Sequence, residues 1–183
     1  MIQKFEFCNT DFEGAYLIKP FCATDIRGAF IKDYSKEVFE ANGLEHNLAE
    51  VFYTVSHKGV IRALHFQRVH EQAKLVRCIK GKVFDVIVDL RPESPTFLSE
   101  ENMNELYVPE HFAHGYLVLE PSVVSYKCGE KFYGEYDDGI MYNDPDLGVE
   151  WPFDEIGGIE NLIIADKDKN LQTFKEYEDK YLK

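Results

Sequence analysis

Short apolar segments separated by turn residues recur through the middle of the chain, and this alternation limits what the chain can fold into. The segments predict strands at Val51–Val55, Ile61–Phe66, Ala73–Ile79, Lys82–Leu90, Glu105–Val108, Gly115–Leu119 and Val123–Cys128. Turns are predicted between them at His57–Gly59, Lys80–Gly81, Arg91–Pro92, Val108–Pro109 and Glu120–Pro121. Many short strands with such turns favour an antiparallel sandwich or barrel over a parallel sheet with helical crossovers. We therefore expect a mainly β protein with short peripheral helices.

The two ends of the chain extend this pattern. Residues 1–20 read as short strands, Asp25–Gly28 as a turn, and Ser35 as the N-cap of a short helix that ends at Gly43. Aromatic residues near the C-terminus are spaced three and four apart, which predicts a helix within residues 169–183 that packs on the barrel or on a second subunit. No repeat or low-complexity linker divides the sequence, so residues 1–183 are expected to form one domain.

Charge and composition exclude several functions. The formal net charge is -13, whereas nucleic-acid binding requires clustered Lys and Arg, and anionic membranes repel an acidic protein. Hydrophobic residues make up 45% of the chain, as expected of an ordered protein. The four cysteines have no CxxC spacing, and we find no export signal or membrane-spanning stretch. The sequence therefore predicts a cytoplasmic protein without nucleic-acid or membrane partners.

The densest group of chemically active residues lies in the run Gly59–Gln67. On a regular strand, His65 and Arg62 would face opposite sides, because side chains alternate. The two could act together only if the strand bends or bulges between them. Taken alone, a histidine here is more often a hydrogen-bonded core or rim residue than a catalyst.

Metal chemistry is not predicted. A metal-binding barrel of this kind offers a His-x-His pair followed by a carboxylate, whereas here His70 is followed two residues later by Gln72. Zinc or iron would need more His or carboxylate ligands than this segment supplies. We expect neither a metal nor another cofactor.

Ordered motifs along the chain carry a family resemblance. They are Arg27-Gly28, Arg62-x-Leu-His-Phe-Gln67, Lys74–Val76, Phe84–Val86, Val88–Arg91, Ser94–Phe97, Val108-Pro109, Phe112–Gly115 and Lys167-Asp168. In this order they resemble the dTDP-4-dehydrorhamnose 3,5-epimerases over nearly the whole chain, up to about Asp168. The resemblance implies a cupin-type antiparallel jelly roll, a homodimer without metal, and a role in deoxysugar and polysaccharide biosynthesis. It also implies a nucleotide-diphosphate sugar as substrate, a dTDP-linked 4-keto-6-deoxy sugar.

The same resemblance assigns catalytic roles. A keto group at C4 acidifies the protons at C3 and C5, so inversion needs a base, a group that stabilises the enolate, and an acid on the opposite face. His65 resembles the base and Asp168 its carboxylate partner. Lys74 resembles the cation near the C4 oxyanion, and His114 lies in the stretch that lines the same pocket.

Ligand-binding positions are implied in the same way. Arg27 and Arg62 resemble the diphosphate-binding arginines, whose charge-assisted hydrogen bonds suit phosphate despite the negative net charge. Lys167 and Asn143 fall where the family contacts its ligand. Lys32 stands where some members have Glu.

Three departures from the family pattern concern the acid, a strand and the nucleotide. Phe132 occupies the position of the proton-donating tyrosine, and the adjacent Tyr133 would point away from the site unless the backbone bulges near Gly134. Leu98–Asn102, which resembles a turn, follows Phe97 at once, so a strand's worth of residues is missing. Glu50, together with Phe52, replaces the family's Gln-x-Asn nucleotide contacts.

These departures leave three functional alternatives beside inversion at both C3 and C5. One is an epimerase that inverts a single centre. Another is a nucleotide-sugar 3,4-ketoisomerase, which needs a base but not the same acid. The third is a non-catalytic sugar-nucleotide-binding cupin, which would be favoured if Asp168 did not reach His65.

Overall fold

The described part of the chain forms twelve strands and two short α-helices. In the computed structural model the strands are β1 Glu6–Asn9, β2 Tyr16–Lys19, β3 Phe21–Asp25, β4 Gly28–Lys32, β5 Glu50–Ser56, β6 Val60–Gln67, β7 Lys74–Asp89, β8 Phe97–Glu101, β9 Glu105–Val108, β10 Phe112–Cys128, β11 Asp137–Gly139 and β12 Ile163–Ile164. The helices are α1 Lys36–Ala41 and α2 Phe174–Tyr181, and 3₁₀ helices occupy Phe153–Ile156, Ile159–Asn161 and Asp168–Asn170. The structure describes residues 4–91, 97–101 and 104–183, the middle range by its backbone alone.

Strands β7 and β10 run antiparallel along the length of the fold and belong to both of its layers. In one layer, the Lys74–Lys80 half of β7 pairs with the Ser122–Cys128 half of β10. On the outer side of β7 the sheet continues through β9 and β2 to β1, and on the outer side of β10 it ends with β5. In the second layer, the other half of β7 pairs with β8, and the other half of β10 pairs with β6, which pairs in turn with β11. These two antiparallel layers confirm the predicted cupin-type jelly roll.

Two predicted turns are wrong, because the chain continues through them as strand. Lys80–Gly81 and Glu120–Pro121 are the places where β7 and β10 bend from one layer into the other, and the register between the strands shifts there. Gly81 has a φ of 82°, and a Cβ atom on it would lie 2.4 Å from the Pro121 carbonyl oxygen. Only glycine permits this close approach. The corner therefore has the residue types of a turn without being one.

The segment after Phe97 also differs from expectation. The resemblance assigns a turn to it, but β8 pairs its backbone with β7 from Phe84 to Val88. Residues 94–96 of the Ser94–Phe97 motif, and Asn102, lie outside the described residues.

Apolar side chains of both layers fill the interior. Buried Val76, Ile87, Tyr116 and Val124 lie between the layers. A second cluster, which includes Leu64 and Trp151, lies where the C-terminal part of the chain covers the second layer. Burying a side chain of this size contributes roughly 1.5–3 kcal/mol. Because both faces of β10 are covered there, its residues from Phe112 to Leu119 are all buried.

The predicted C-terminal helix is α2, and it packs on its own chain. It begins after Thr173, whose side chain and that of Glu176 form a capping box. Phe174 is buried, and the ring of Tyr177 packs edge-on against Phe66 with centroids 5.2 Å apart. No helix in the described part of the chain is long and apolar enough to cross a membrane.

Candidate active site

A cavity of about 470 Å³ opens where β6, β7 and β10 meet the segment after β12. Seven of the predicted site residues line it: Arg62, His65, Lys74, His114, Phe132, Lys167 and Asp168. Phe52, Thr54, Gln67, Gln72, Tyr126 and Asp137 also contribute to its wall. The cavity therefore combines an apolar lining with a few polar groups, as small-molecule sites do.

A β-bulge in β6 brings Arg62 and His65 to the same cavity. His114 of β10 pairs with His65 of β6, and Tyr116 of β10 pairs with Arg62 of β6. The two pairs are two residues apart on β10 but three residues apart on β6, so β6 contains one extra residue between them. Gly115 stands opposite the extra residue, where a Cβ atom would lie 2.7 Å from the Cα of Ala63. The glycine permits the bulge, which meets the condition that the sequence set for the two side chains to act together.

His65 and Asp168 form a hydrogen-bonded pair. Nε2 of His65 lies 3.2 Å from Oδ2 of Asp168, whose side chain is only 3% exposed. Strand β12 runs parallel to β6, with Ile163 opposite Val60, and this pairing delivers the Lys167–Asp168 dipeptide to the histidine. A carboxylate on one ring nitrogen fixes the orientation of the imidazole and leaves its other nitrogen available.

A second carboxylate, which sequence reasoning missed, faces that other nitrogen. Oδ1 of Asp137 lies 4.0 Å from Nδ1 of His65, and its Oδ2 lies 3.1 Å from the Lys167 ammonium. Asp137 reaches this place because β11 pairs with the end of β6, with Gly139 opposite His65. A three-residue strand with two acidic residues has no periodic signal that could have revealed this position.

Lys74 and His114 complete the polar wall. Lys74 is buried, its Nζ donates to the His65 carbonyl oxygen at 3.3 Å, and burial lowers the pKa of its ammonium. His114 is also buried, with its Nε2 2.6 Å from Oδ1 of Asp85. The alternation of Asp85 with apolar residues in β7 was visible in the sequence, but only the fold places it against a histidine.

The loop after β10 presents Phe132, and not Tyr133, to the cavity. The side chain of Gln67 accepts a hydrogen bond from the Tyr133 backbone N–H at 2.7 Å, and Glu50 accepts one from that of Phe132 at 3.2 Å. Held in this way, Tyr133 stacks on His70 with ring centroids 4.7 Å apart. Tyr133, predicted as the alternative proton donor, therefore lies outside the cavity lining.

Four further predicted residues, Arg27, Lys32, Asn143 and Glu50, lie outside the cavity lining. Arg27 is at the exposed tip of the β3–β4 hairpin, where it pairs with Asp25, and Lys32 ends the same hairpin. The hairpin is a separate two-stranded sheet, so the pairing of the main sheet does not bring it to the cavity. Asn143 is in an exposed turn after β11. Glu50 contacts the site only through the Phe132 backbone.

Arg62 provides a cation at the cavity wall. Its Nε and Nη2 donate to the Ser56 hydroxyl at 3.3 Å each. With Lys167, it gives the cavity two exposed positive groups that can meet an anion. Among the described residues, no group of three or more His, Cys, Asp and Glu is placed to hold a metal ion.

Comparison with known proteins gives consistent matches over most of the chain. The family model described as dTDP-4-dehydrorhamnose 3,5-epimerase matches residues 9–176. The dTDP-4-dehydrorhamnose 3,5-epimerase of Methanothermobacter thermautotrophicus is 43% identical over 94% of this chain and 96% of its own. The dTDP-6-deoxy-D-glucose-3,5-epimerase of Legionella pneumophila, solved with dTDP-4-keto-L-rhamnose, superposes with a TM-score of 0.87 at 30% identity, covering 94% of both chains. A 3'-monoepimerase from Streptomyces bikiniensis, solved with dTDP-quinovose, has a TM-score of 0.85 at 28% identity over 94% of this chain and 89% of its own.

Proposed function

The chain belongs to the dTDP-4-dehydrorhamnose 3,5-epimerase family, and from that membership we propose that its cavity epimerises a dTDP-linked 4-keto-6-deoxy sugar with His65 as the base. The observation that carries the assignment of the base is the hydrogen bond between His65 and the buried Asp168. This contact also removes the condition under which the sequence favoured a non-catalytic binding protein. A ketoisomerase is not proposed, because the similar proteins named above are epimerases.

Proton abstraction is the first step. The proton on a carbon next to the C4 ketone passes to the imidazole of His65, and the electrons of the C–H bond move to the C4 oxygen as an enolate. Asp168 orients the ring and stabilises the imidazolium. The ammonium of Lys74 stabilises the oxyanion, since a buried charge acts strongly where water is excluded.

Reprotonation from the opposite face completes an inversion and restores the ketone, so the product is an isomer of the substrate. Phe132 has no proton to give, and Tyr133 lies outside the cavity lining. The remaining candidates for the donor are His114, which lines the cavity beside Asp85, the phenol of Tyr126 in the same wall, and a water molecule. His65 itself can return the proton only to the face from which it came.

Inversion of a single centre is the second candidate activity. Phe132 favours it, because without a tyrosine at this position the reprotonation of C3 or C5 that depends on that acid is slow. The likeness to the Streptomyces bikiniensis 3'-monoepimerase shows that such an activity occurs on this fold.

The nucleotide diphosphate is expected to lie along Arg62 and Lys167, the two exposed cations of the cavity. This placement leaves the sugar between His65, Lys74 and Phe132. Phe52 stacks on Tyr126 with ring centroids 4.9 Å apart and offers an apolar surface at the same wall.

A homodimer is the proposed assembly. Exposed apolar side chains occur on the β3–β4 hairpin, at Ile26 and Phe30, and on β5, at Val51 and Val55. A solvated protein seldom leaves such surfaces uncovered. A second copy of the chain that covers them would also account for Arg27, since a hairpin docked on the partner can place its tip at the partner's cavity.

Incubation with dTDP-4-keto-6-deoxyglucose in D₂O tests the proposed function. We expect deuterium at C3 or C5 and an inverted product, both followed by NMR. A complete lack of exchange, with dTDP binding intact, would reject epimerisation.

A further inference from the structure

His65 lies between two carboxylates, of which Asp168 serves one ring nitrogen and Asp137 faces the other. The Asp168 contact measures 3.2 Å at Nε2, and the Asp137 contact measures 4.0 Å at Nδ1. Asp137 and His65 are each 23% exposed, so water screens their interaction only in part. Among the described residues, the other charged or titratable groups that line the cavity with this ring are Arg62, Lys74, His114, Tyr126 and Lys167.

A carboxylate at this place acts on the charge that the reaction creates. When His65 takes a proton from carbon, its ring becomes positive, and a negative group about 4 Å away lowers the energy of that form. Asp168 already holds the ring in position. Asp137, which lines the cavity as Asp168 does, adds a second negative charge at the other ring nitrogen.

Lys167 weakens the stabilisation of protonated His65 by Asp137. Its ammonium lies 3.1 Å from the other oxygen of Asp137 and neutralises part of the charge. The Lys167 side chain is 65% exposed, so it can turn from the carboxylate to a phosphate group in the cavity. The charge of Asp137 would then act on His65 without this neutralisation, and it would also act on the buried ammonium of Lys74.

We propose that Asp137 is a positioning residue for the epimerisation, which stabilises protonated His65 once the substrate diphosphate has taken the Lys167 ammonium. This inference rests on the proposed function and adds substrate-assisted activation to it. The diphosphate of the substrate strengthens His65 as a base by drawing Lys167 away from Asp137. A 4-keto sugar without phosphate is therefore deprotonated slowly.

Asp137→Asn is the first test, with kcat for deuterium exchange and the Kd of dTDP as separate readouts. We expect kcat to fall roughly tenfold to a hundredfold, while the Kd of dTDP changes less than threefold. Asp137→Glu should recover most of the loss, because it restores the negative charge. The matched control is Asp166→Asn, an exposed carboxylate near the same segment, which should behave as the wild type.

A role limited to holding Lys167 gives a different result. In that case Asp137→Asn would raise the Kd of dTDP as much as Lys167→Gln does and would leave kcat unchanged. Either an unchanged kcat or such a parallel loss of binding overturns the inference.

Lys167→Gln provides a second test that does not depend on the folding of the Asp137 variant. It removes the restraint, so exchange of phosphate-free 4-keto-6-deoxyglucose should become at least threefold faster than with the wild type. An equal or slower rate overturns the inference. Loss of exchange in the wild-type enzyme on the full dTDP-sugar would instead reject the proposed function itself.

Discussion

Nε2 of His65 lies 3.2 Å from the Oδ2 of Asp168, although the two residues are 103 positions apart in the chain. The contact exists because β12 runs parallel to β6, and the chain after β12 enters a 3₁₀ helix that begins at Asp168. The Asp168 side chain is only 3% exposed, so the packing around it holds it against the ring. This buried contact is the basis of the catalytic proposal.

Replacement of His65 tests the base directly. His65→Asn should abolish deuterium uptake next to the ketone, because an amide cannot accept a carbon-bound proton. The Kd of dTDP, measured by calorimetry, should stay within about threefold of the wild type, since His65 makes no predicted phosphate contact. Exchange at the wild-type rate would show that another group is the base.

Arg62 is predicted to recognise the diphosphate. Arg62→Ala should raise KM about 10–100-fold, the loss expected for a charge-assisted hydrogen bond of roughly 1.5–3 kcal/mol. Affinity for thymidine, which has no phosphate, should hardly change. Equal losses of affinity for thymidine and dTDP would place Arg62 away from the phosphates.

Phe132 should limit inversion more than exchange. Removal of a general acid costs about 10²–10⁴-fold in rate, so the wild type should exchange at least one proton faster than it inverts that centre. Phe132→Tyr should raise the ratio of inversion to exchange, measured as deuterium content against product stereochemistry. Tyr133→Phe is the matched control and should leave the ratio unchanged, because Tyr133 stacks on His70 outside the cavity lining.

The buried Lys74 should limit activity at high pH. Burial lowers the pKa of its ammonium, so the charge that stabilises the enolate is present at low pH and is lost as the pH rises through that lowered value. We expect kcat to fall on the alkaline side well before an ordinary lysine would lose its proton. Lys74→Arg should lower kcat but move this decline to higher pH, since a guanidinium keeps its charge. A decline at the same pH in both enzymes would assign it to another group.

Glu105 should make the fold less stable as the pH rises. It is fully buried beside Lys127, its Oε1 3.1 Å from the ammonium, and burial raises its pKa to about 8. Between about pH 4.5 and 8 the unfolded chain releases a proton that the folded chain retains, so the contribution of Glu105 to the free energy of unfolding falls across this window and is constant above it.

Urea unfolding at pH 5, 6.5 and 8 measures this effect. Glu105→Gln should flatten the decrease relative to the wild type, whereas Glu135→Gln, at an exposed position, should not. An equal decrease in the wild type and the Glu105 variant would show that the native glutamate is already ionised at pH 5.

Local sequence patterns determined the class of fold, and the family resemblance indicated seven residues of the cavity wall. Alternating apolar residues and their turns predicted the strands, because a half-buried strand imposes its period on the chain wherever it lies. The bulge between Arg62 and His65 was left as a condition, because the glycine that permits it, Gly115, lies on β10 and not in the run around His65. At Gly81 the same local chemistry was misleading, because a corner inside a long strand and a turn between two strands both need glycine.

Only the tertiary structure decided which residues share the site. Asp137 reaches His65 through the pairing of β11 with β6. Tyr133 is turned away by the hydrogen bond that its backbone N–H donates to Gln67, 66 positions earlier in the chain. Such contacts depend on strand register and on side chains distant in sequence, and neither leaves a periodic trace in the neighbouring residues. The sequence therefore named the histidine and its first carboxylate, while the packing of the sheets supplied the second carboxylate and excluded the tyrosine.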